Sequence, residues 1–205
     1  MDFKRPVQAV VPGSPGRILA VLAETTGELS LRTIARLAGV SPAQASRILP
    51  QLVRLGIVER REAPPTALFR FVHENVASQF VLGLSRSRDY VLGELGRRAE
   101  TLGVRPLSVV VFGSLARGEA DEASDVDVLF VRPEGLDDDY WSASVEEWRR
   151  SARLLTGNQV EVLEADASEV GRLLRSHKPL WEAIGQEGVV VFGVGLEQLR
   201  TLPSA

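Results

Sequence analysis

Two aspartates separated by one residue, Asp125 and Asp127, follow the pair Gly113-Ser114 after an interval of ten residues. Apart from these two acids, residues 125–131 (DVDVLFV) are apolar, which predicts a strand, and on a strand alternate side chains share a face. The two acids therefore project together while Val126, Val128 and Phe130 pack behind. Carboxylates this close repel in a half-buried place, and a divalent cation is the usual reason to keep them there. Residues 107–112 (LSVVVF) read as a preceding buried strand. It stops at Gly113, where the missing Cβ lets the backbone turn and approach a ligand. Residues 115–117 would open a short helix whose free N–H groups suit a triphosphate, with the Ser114 hydroxyl as an added donor. An Asx-rich turn would account for Gly, Ser and Asp here, but not for two acids on an apolar strand.

The segment resembles the minimal nucleotidyltransferase branch of the nucleotidyltransferase superfamily, whose motif is Gly-Ser, ten residues, then Asp-x-Asp. Ala116-Arg117-Gly118 and Ser124 match secondary positions of the same pattern. The resemblance covers roughly the last hundred residues, and its motif is far more specific than a lone glycine-rich loop. It implies transfer of a nucleoside monophosphate, AMP most simply, from ATP or another nucleoside triphosphate to an acceptor. Gly113, Ser114, Arg117 and Ser124 would bind the nucleotide, and Asp125 and Asp127 would ligate Mg²⁺ or Mn²⁺. A third carboxylate on a later strand is expected as ligand or base. The best candidate is Glu161 in residues 159–163 (QVEVL), where many relatives carry Asp. Glu164 and Asp166 are the alternatives, and Asp166 reads better as a helix N-cap.

Further elements must hold these residues. Residues 137–155 form a helix after an acidic first turn, which suits the helix dipole. Strand 159–163, helices over 167–174 and 179–184, and a strand over 188–192 complete a small α/β unit. The phrase Val-Val-Val-Phe-Gly occurs at 109–113 and again at 189–193; the second copy lacks the Ser and the acids, so it reads as coincidence. Residues 75–102 carry Val76, Phe80, Leu84, Val91, Leu95 and Leu102 at helical spacing, weakened by Gly83, Gly93 and Gly96 and closed by Gly103. One long connecting helix is expected there, packing on both modules or pairing with its copy in a homodimer.

The first third of the chain has a different rhythm. Residues 17–24 predict a short amphipathic helix. Ser30 caps a second helix over 31–38, and Ser41 with Pro42 opens a third that runs toward Leu55. Residues 57–61 and 68–72, joined through Pro64-Pro65, read as a hairpin. Helix, helix-turn-helix, hairpin is the order of a winged helix-turn-helix of the transcription-regulator kind, resembled over residues 15–72. Duplex DNA is its expected partner, through Gln44, Ser46 and Arg47 at the start of the third helix and Arg60 and Arg61 of the wing. Pro50 is expected to kink or end that helix after about two turns; a protein-contact module is the alternative.

Composition agrees with these limits. The chain has 205 residues, 44% hydrophobic and 25% charged, as in an ordinary globular protein. Residues 1–74 hold 10 basic and 6 acidic side chains, net +4, whereas residues 75–205 hold 14 and 21, net −7, so two modules with different partners are expected. The absence of cysteine excludes disulfides and thiolate metal sites. His73 and His177 are isolated and no metal role is assigned to either. No run is long enough to span a membrane and no signal-peptide pattern is seen, so a cytoplasmic location is expected.

The expected fold class is α+β: a winged helix-turn-helix joined by a long helix to a small mixed-sheet nucleotidyltransferase domain. The boundaries are an N-terminal tail over 1–14, the winged domain over 15–73, the connecting helix over 74–103 and the nucleotidyltransferase domain over 104–205. The leading functional expectation is a nucleotidyltransferase acting on a protein or other macromolecule, as in antitoxins of this branch that modify a toxin partner. The alternatives are a small-molecule, antibiotic-type nucleotidyltransferase and a DNA-binding regulator whose second domain senses nucleotide.

Overall fold

The computed structural model describes residues 1–202, so the last three residues of the domain expected over 104–205 lie outside the described residues. The chain forms two compact units: Asp2 with Lys4–Ser87, and Met1 and Phe3 with the chain from Arg88 onward.

The first unit begins with α1 (Pro6–Val10) and α2 (Gly13–Glu24). The tail expected over 1–14 is thus partly helical, because Val7 has an apolar core to enter. Strand β1 (Leu29–Ser30) leads into α3 (Leu31–Leu37), where the Ser30 hydroxyl accepts the Thr33 N–H at 3.2 Å. α4 (Pro42–Arg54) starts with a reciprocal capping box between Ser41 and Gln44. Pro50 does not end it. Leu49 and Leu52 on either side are buried, and that packing holds the helix through the missing hydrogen bond. The wing is β2 (Val58–Ala63) paired antiparallel with β3 (Thr66–Phe71), and β1 adds to the other side of β3. Ile18, Leu22, Ile34, Leu49 and Phe71 fill the core beneath.

The single helix expected over 74–103 is two helices, α5 (Val76–Ser85) and α6 (Ser87–Glu100). Arg86 leaves helical geometry at φ −101°, ψ 13°, and the Ser85 hydroxyl donates to the Leu82 carbonyl at 2.9 Å, closing α5 locally. Gly96 is no weakness in α6. A Cβ there would collide with the Val191 carbonyl, so glycine is what permits the close approach of helix to strand.

The second unit is built on a four-stranded mixed sheet. Its strands are β4 (Ser108–Phe112), β5 (Val126–Arg132), β6 (Val160–Asp166) and β7 (Val189–Gly193), in the order β6-β5-β4-β7. β5 runs parallel to β6, while β4 is antiparallel to both β5 and β7. The two Val-Val-Val-Phe stretches are therefore neighbours in the sheet, Val111 opposite Val189. Helix α7 (Gly113–Arg117) follows β4, and α8 (Asp138–Thr156) links β5 to β6. After β6 come α9 (Ala167–Leu174) and α10 (Pro179–Glu187), and α11 (Leu196–Arg200) follows β7. One sheet face (Val109, Val111, Val128, Phe130) packs on α6 and α8, with Trp148 edge-on to Phe130 at 4.9 Å. The other (Val110, Leu129, Val131, Ala165) packs on Val170, Trp181, Ile184 and Leu199 of the later helices. The α+β class is as expected.

Candidate active site

The site lies at one end of the sheet. β4 pairs with β5 so that Phe112 stands opposite Asp127, and the chain turns at the next residue. Gly113 takes φ +66° and is the first residue of α7, two positions earlier than expected. A Cβ at Gly113 would strike the Asp127 carboxylate, so this glycine serves both the turn and the approach of the acid. The Ser114 hydroxyl has no hydrogen-bond partner among the described residues, which leaves its donor available. α7 ends at Gly118 with φ 74°.

Asp127 and Glu161 are direct neighbours across the parallel β5–β6 ladder. Both fall on the odd-numbered face with Leu129, Val131 and Ala165, and Asp125 precedes β5 in the same phase. The Asp127 carboxyl is pushed above the ordinary aspartate range, first by burial, then by the negative charges of Asp125 and Glu161; Arg117 opposes the shift. These residues are thus electrostatically one site. Asp127 is half-buried, while Asp125 and Glu161 are exposed.

Three carboxylates gathered as metal ligands are not what the structure contains. Among the described residues no group of three or more His, Cys, Asp or Glu side chains is placed to hold a metal ion. Glu161 lies on β6, the edge strand of the sheet. Glu164 faces the other way and accepts a hydrogen bond from the Trp141 indole. Asp166 occupies the N-cap position of α9 but makes no capping hydrogen bond with its side chain.

Arg117 is exposed and paired with Glu119 and Glu187, both at 2.9 Å. Ser124 is engaged in a local turn. Its hydroxyl donates to Asp121 Oδ1 at 2.9 Å and accepts the Asp121 N–H at 3.0 Å. Ser124 therefore shapes the approach to Asp125. Two residues in this support escaped the sequence reading. The Arg88 guanidinium donates to the carbonyls of Leu115, at 2.9 Å, and Ala116, pinning the end of α7. The buried Asn158 amide donates to the carbonyls of Asp121 and Ser124 at 3.0 and 2.9 Å, fixing the turn before Asp125. Neither has a sequence signal, because both act on carbonyls more than twenty-five residues away.

In the first unit, Arg47 is exposed and has no ion pair among the described residues. Gln44 Oε1 accepts the Ser41 N–H at 3.0 Å, and the Ser46 hydroxyl donates to the Ala43 carbonyl at 3.0 Å, so both side chains serve α4 locally. Arg60 pairs with Glu62 at 2.8 Å, and Arg61 binds Glu28 through two nitrogens.

Residues 16–62 match the family described as the IclR helix-turn-helix domain, and residues 92–181 match the nucleotidyltransferase domain. No curated protein matches the chain at significant similarity. Among solved structures, the chain is similar to a toxin-antitoxin with AMP-PNP at 14% identity and a TM-score of 0.37, over 57% of this chain and 81% of that one. A mutant of the toxin-antitoxin MntA-HpeT matches at 15% identity, TM-score 0.33, over 54% of this chain and 76% of that one. The archaeal chromatin protein TrmBL2 matches at 18% identity, TM-score 0.32, over 85% of this chain and 75% of that one. The chain carries an IclR-type helix-turn-helix domain followed by a nucleotidyltransferase domain, the domain of enzymes that transfer nucleotidyl groups.

Proposed function

We propose that the second unit transfers a nucleoside monophosphate, AMP most simply, from a nucleoside triphosphate to a hydroxyl on a protein or other macromolecule. The observation that carries this reading is the Asp125/Asp127 pair set against the Gly113 turn, with the Asp127 carboxyl destabilised by burial and by its acidic neighbours. Such an arrangement fits a divalent cation, since Mg²⁺ is commonly held by one or two carboxylates with substrate phosphates completing its shell. Asp125 and Asp127 would hold it, and it would neutralise charge on the transferred phosphoryl group and the leaving pyrophosphate. Ser114 donates its free hydroxyl to the phosphates and Arg117 exchanges its carboxylate partners for them. Glu161, outside the ligand set, orients the acceptor hydroxyl or takes its proton.

Exposure of Asp125 and Glu161 favours a large acceptor that brings its own walls to the site. A protein acceptor, as in an antitoxin acting on its toxin partner, suits that opening. The first unit would add DNA binding through Arg47, Arg60 and Arg61, with Gln44 and Ser46 at the start of α4. The test is incubation of the full chain with host lysate, Mg²⁺ and ATP labelled at the α or the γ phosphate. Transfer of α label alone to a macromolecule, lost in Asp127→Asn, is expected. Transfer of γ label, or α label persisting in Asp127→Asn, would contradict the reading.

A further inference from the structure

Between α4 and the wing lies a cleft of about 530 Å³ that nucleotidyl transfer does not use. Small-molecule sites span roughly 300–1,000 Å³, so its size is that of a ligand pocket. Pro50 and Val53 of α4 and Phe69 of β3 give it an apolar lining. Arg54 and Arg60 add two guanidinium groups, and no acidic residue lines it. Arg54 has no hydrogen-bond or ion-pair partner among the described residues. The Arg60–Glu62 pair is more than half exposed on both sides, an attachment that is readily exchanged. Pro50 has no N–H to return to the Ser46 carbonyl, one turn earlier on the same helix face, and both residues line the cleft. The gap in the helix's hydrogen bonding therefore falls at the wall of the cleft, where the pyrrolidine ring adds to the apolar lining.

We propose that this cleft binds a small organic carboxylate with an aromatic or bulky apolar body. Its carboxylate sits between Arg54 and Arg60, and its body lies on Pro50, Val53 and Phe69. The site is separate from the acidic one and does not depend on the nucleotidyl chemistry. Because Arg60 and Ser46 are also expected DNA contacts, an occupant would cover part of that surface.

The probe is 2-naphthoate, titrated calorimetrically into the full chain and followed through backbone amide chemical shifts, with neutral 2-naphthamide as the comparison. Naphthoate is expected to bind with one-to-one stoichiometry and to move signals from residues 46–54 and 60–69. The amide, and naphthoate on Arg54→Gln, should each bind roughly tenfold more weakly, the effect of one charge-assisted hydrogen bond. Ala67→Trp, which fills the cleft, should abolish binding; if that variant does not fold, the exposed Arg54→Gln decides. Absence of binding, equal affinity for acid and amide, unchanged binding in Arg54→Gln, or shifts confined to residues outside the cleft would each overturn the proposal.

Discussion

Asp127 is held where its ionised form is disfavoured, by burial first and by Asp125 and Glu161 next. Its folded-state pKa stands above its unfolded value. The stability it contributes is therefore complete below the unfolded value and is lost as pH rises through the folded one. Asp127→Asn should raise the metal-free melting midpoint at neutral pH, with the gain vanishing as pH falls below the ordinary carboxylate range. Thermal melts across a pH series check this, and a lower midpoint at pH 7 would contradict it. At the neighbouring turn, Ser114→Ala should weaken triphosphate binding by roughly 1.5–3 kcal/mol, the value of a hydrogen bond to a charged group, measured by calorimetry. Gly113→Val should abolish binding, because any Cβ there meets the Asp127 carboxylate. The Gly-Ser and Asp-x-Asp residues were legible in the sequence because their spacing is local to one strand-turn-strand. Arg88 and Asn158 were not, because each acts on backbone carbonyls that any residue could supply.

Element boundaries in the second unit followed hydrophobic period closely: residues 137–155 were read as helix, and α8 spans Asp138–Thr156. The errors came where tertiary packing overrode local propensity. Pro50 was expected to kink or end α4, but buried Leu49 and Leu52 hold it helical to Arg54. The long connecting helix breaks at Arg86, which no glycine or proline marks. Strand β1 is two residues long and carries no alternation to detect. The wing was read correctly as a hairpin, yet the sequence did not show that Arg61 is engaged by Glu28, whose carboxyl that hydrogen bond chiefly holds below its usual range. A guanidinium shared in this way exchanges to a phosphate at modest cost, since both side chains are substantially exposed. Arg60→Ala with Arg61→Ala should therefore flatten the slope of log affinity against log salt by up to about two units, alike on all duplex sequences. Titration of the full chain with random and genomic DNA at several salt concentrations checks it. An unchanged slope would remove the wing from the DNA contact.

At the scale of the whole chain, the two units divide between Ser87 and Arg88, inside the stretch expected to be one connecting helix over 74–103. Trp141, Trp148 and Trp181 all lie in the second unit, packed on its two sheet faces. Tryptophan fluorescence therefore reports the unfolding of that unit. A saturating nucleoside triphosphate with Mg²⁺, at about one hundred times its Kd, should stabilise it by about 2.7 kcal/mol and move that midpoint upward by a few degrees. The same addition to Asp125→Asn/Asp127→Asn should leave the midpoint where it was. The most direct test of the account is calorimetric titration of ATP into the wild type and into Asp125→Asn/Asp127→Asn, each with and without Mg²⁺. The account predicts binding to the wild type that requires the metal and is absent from the double variant. Equal affinity in the two proteins, or no binding to the wild type with Mg²⁺ present, would contradict it.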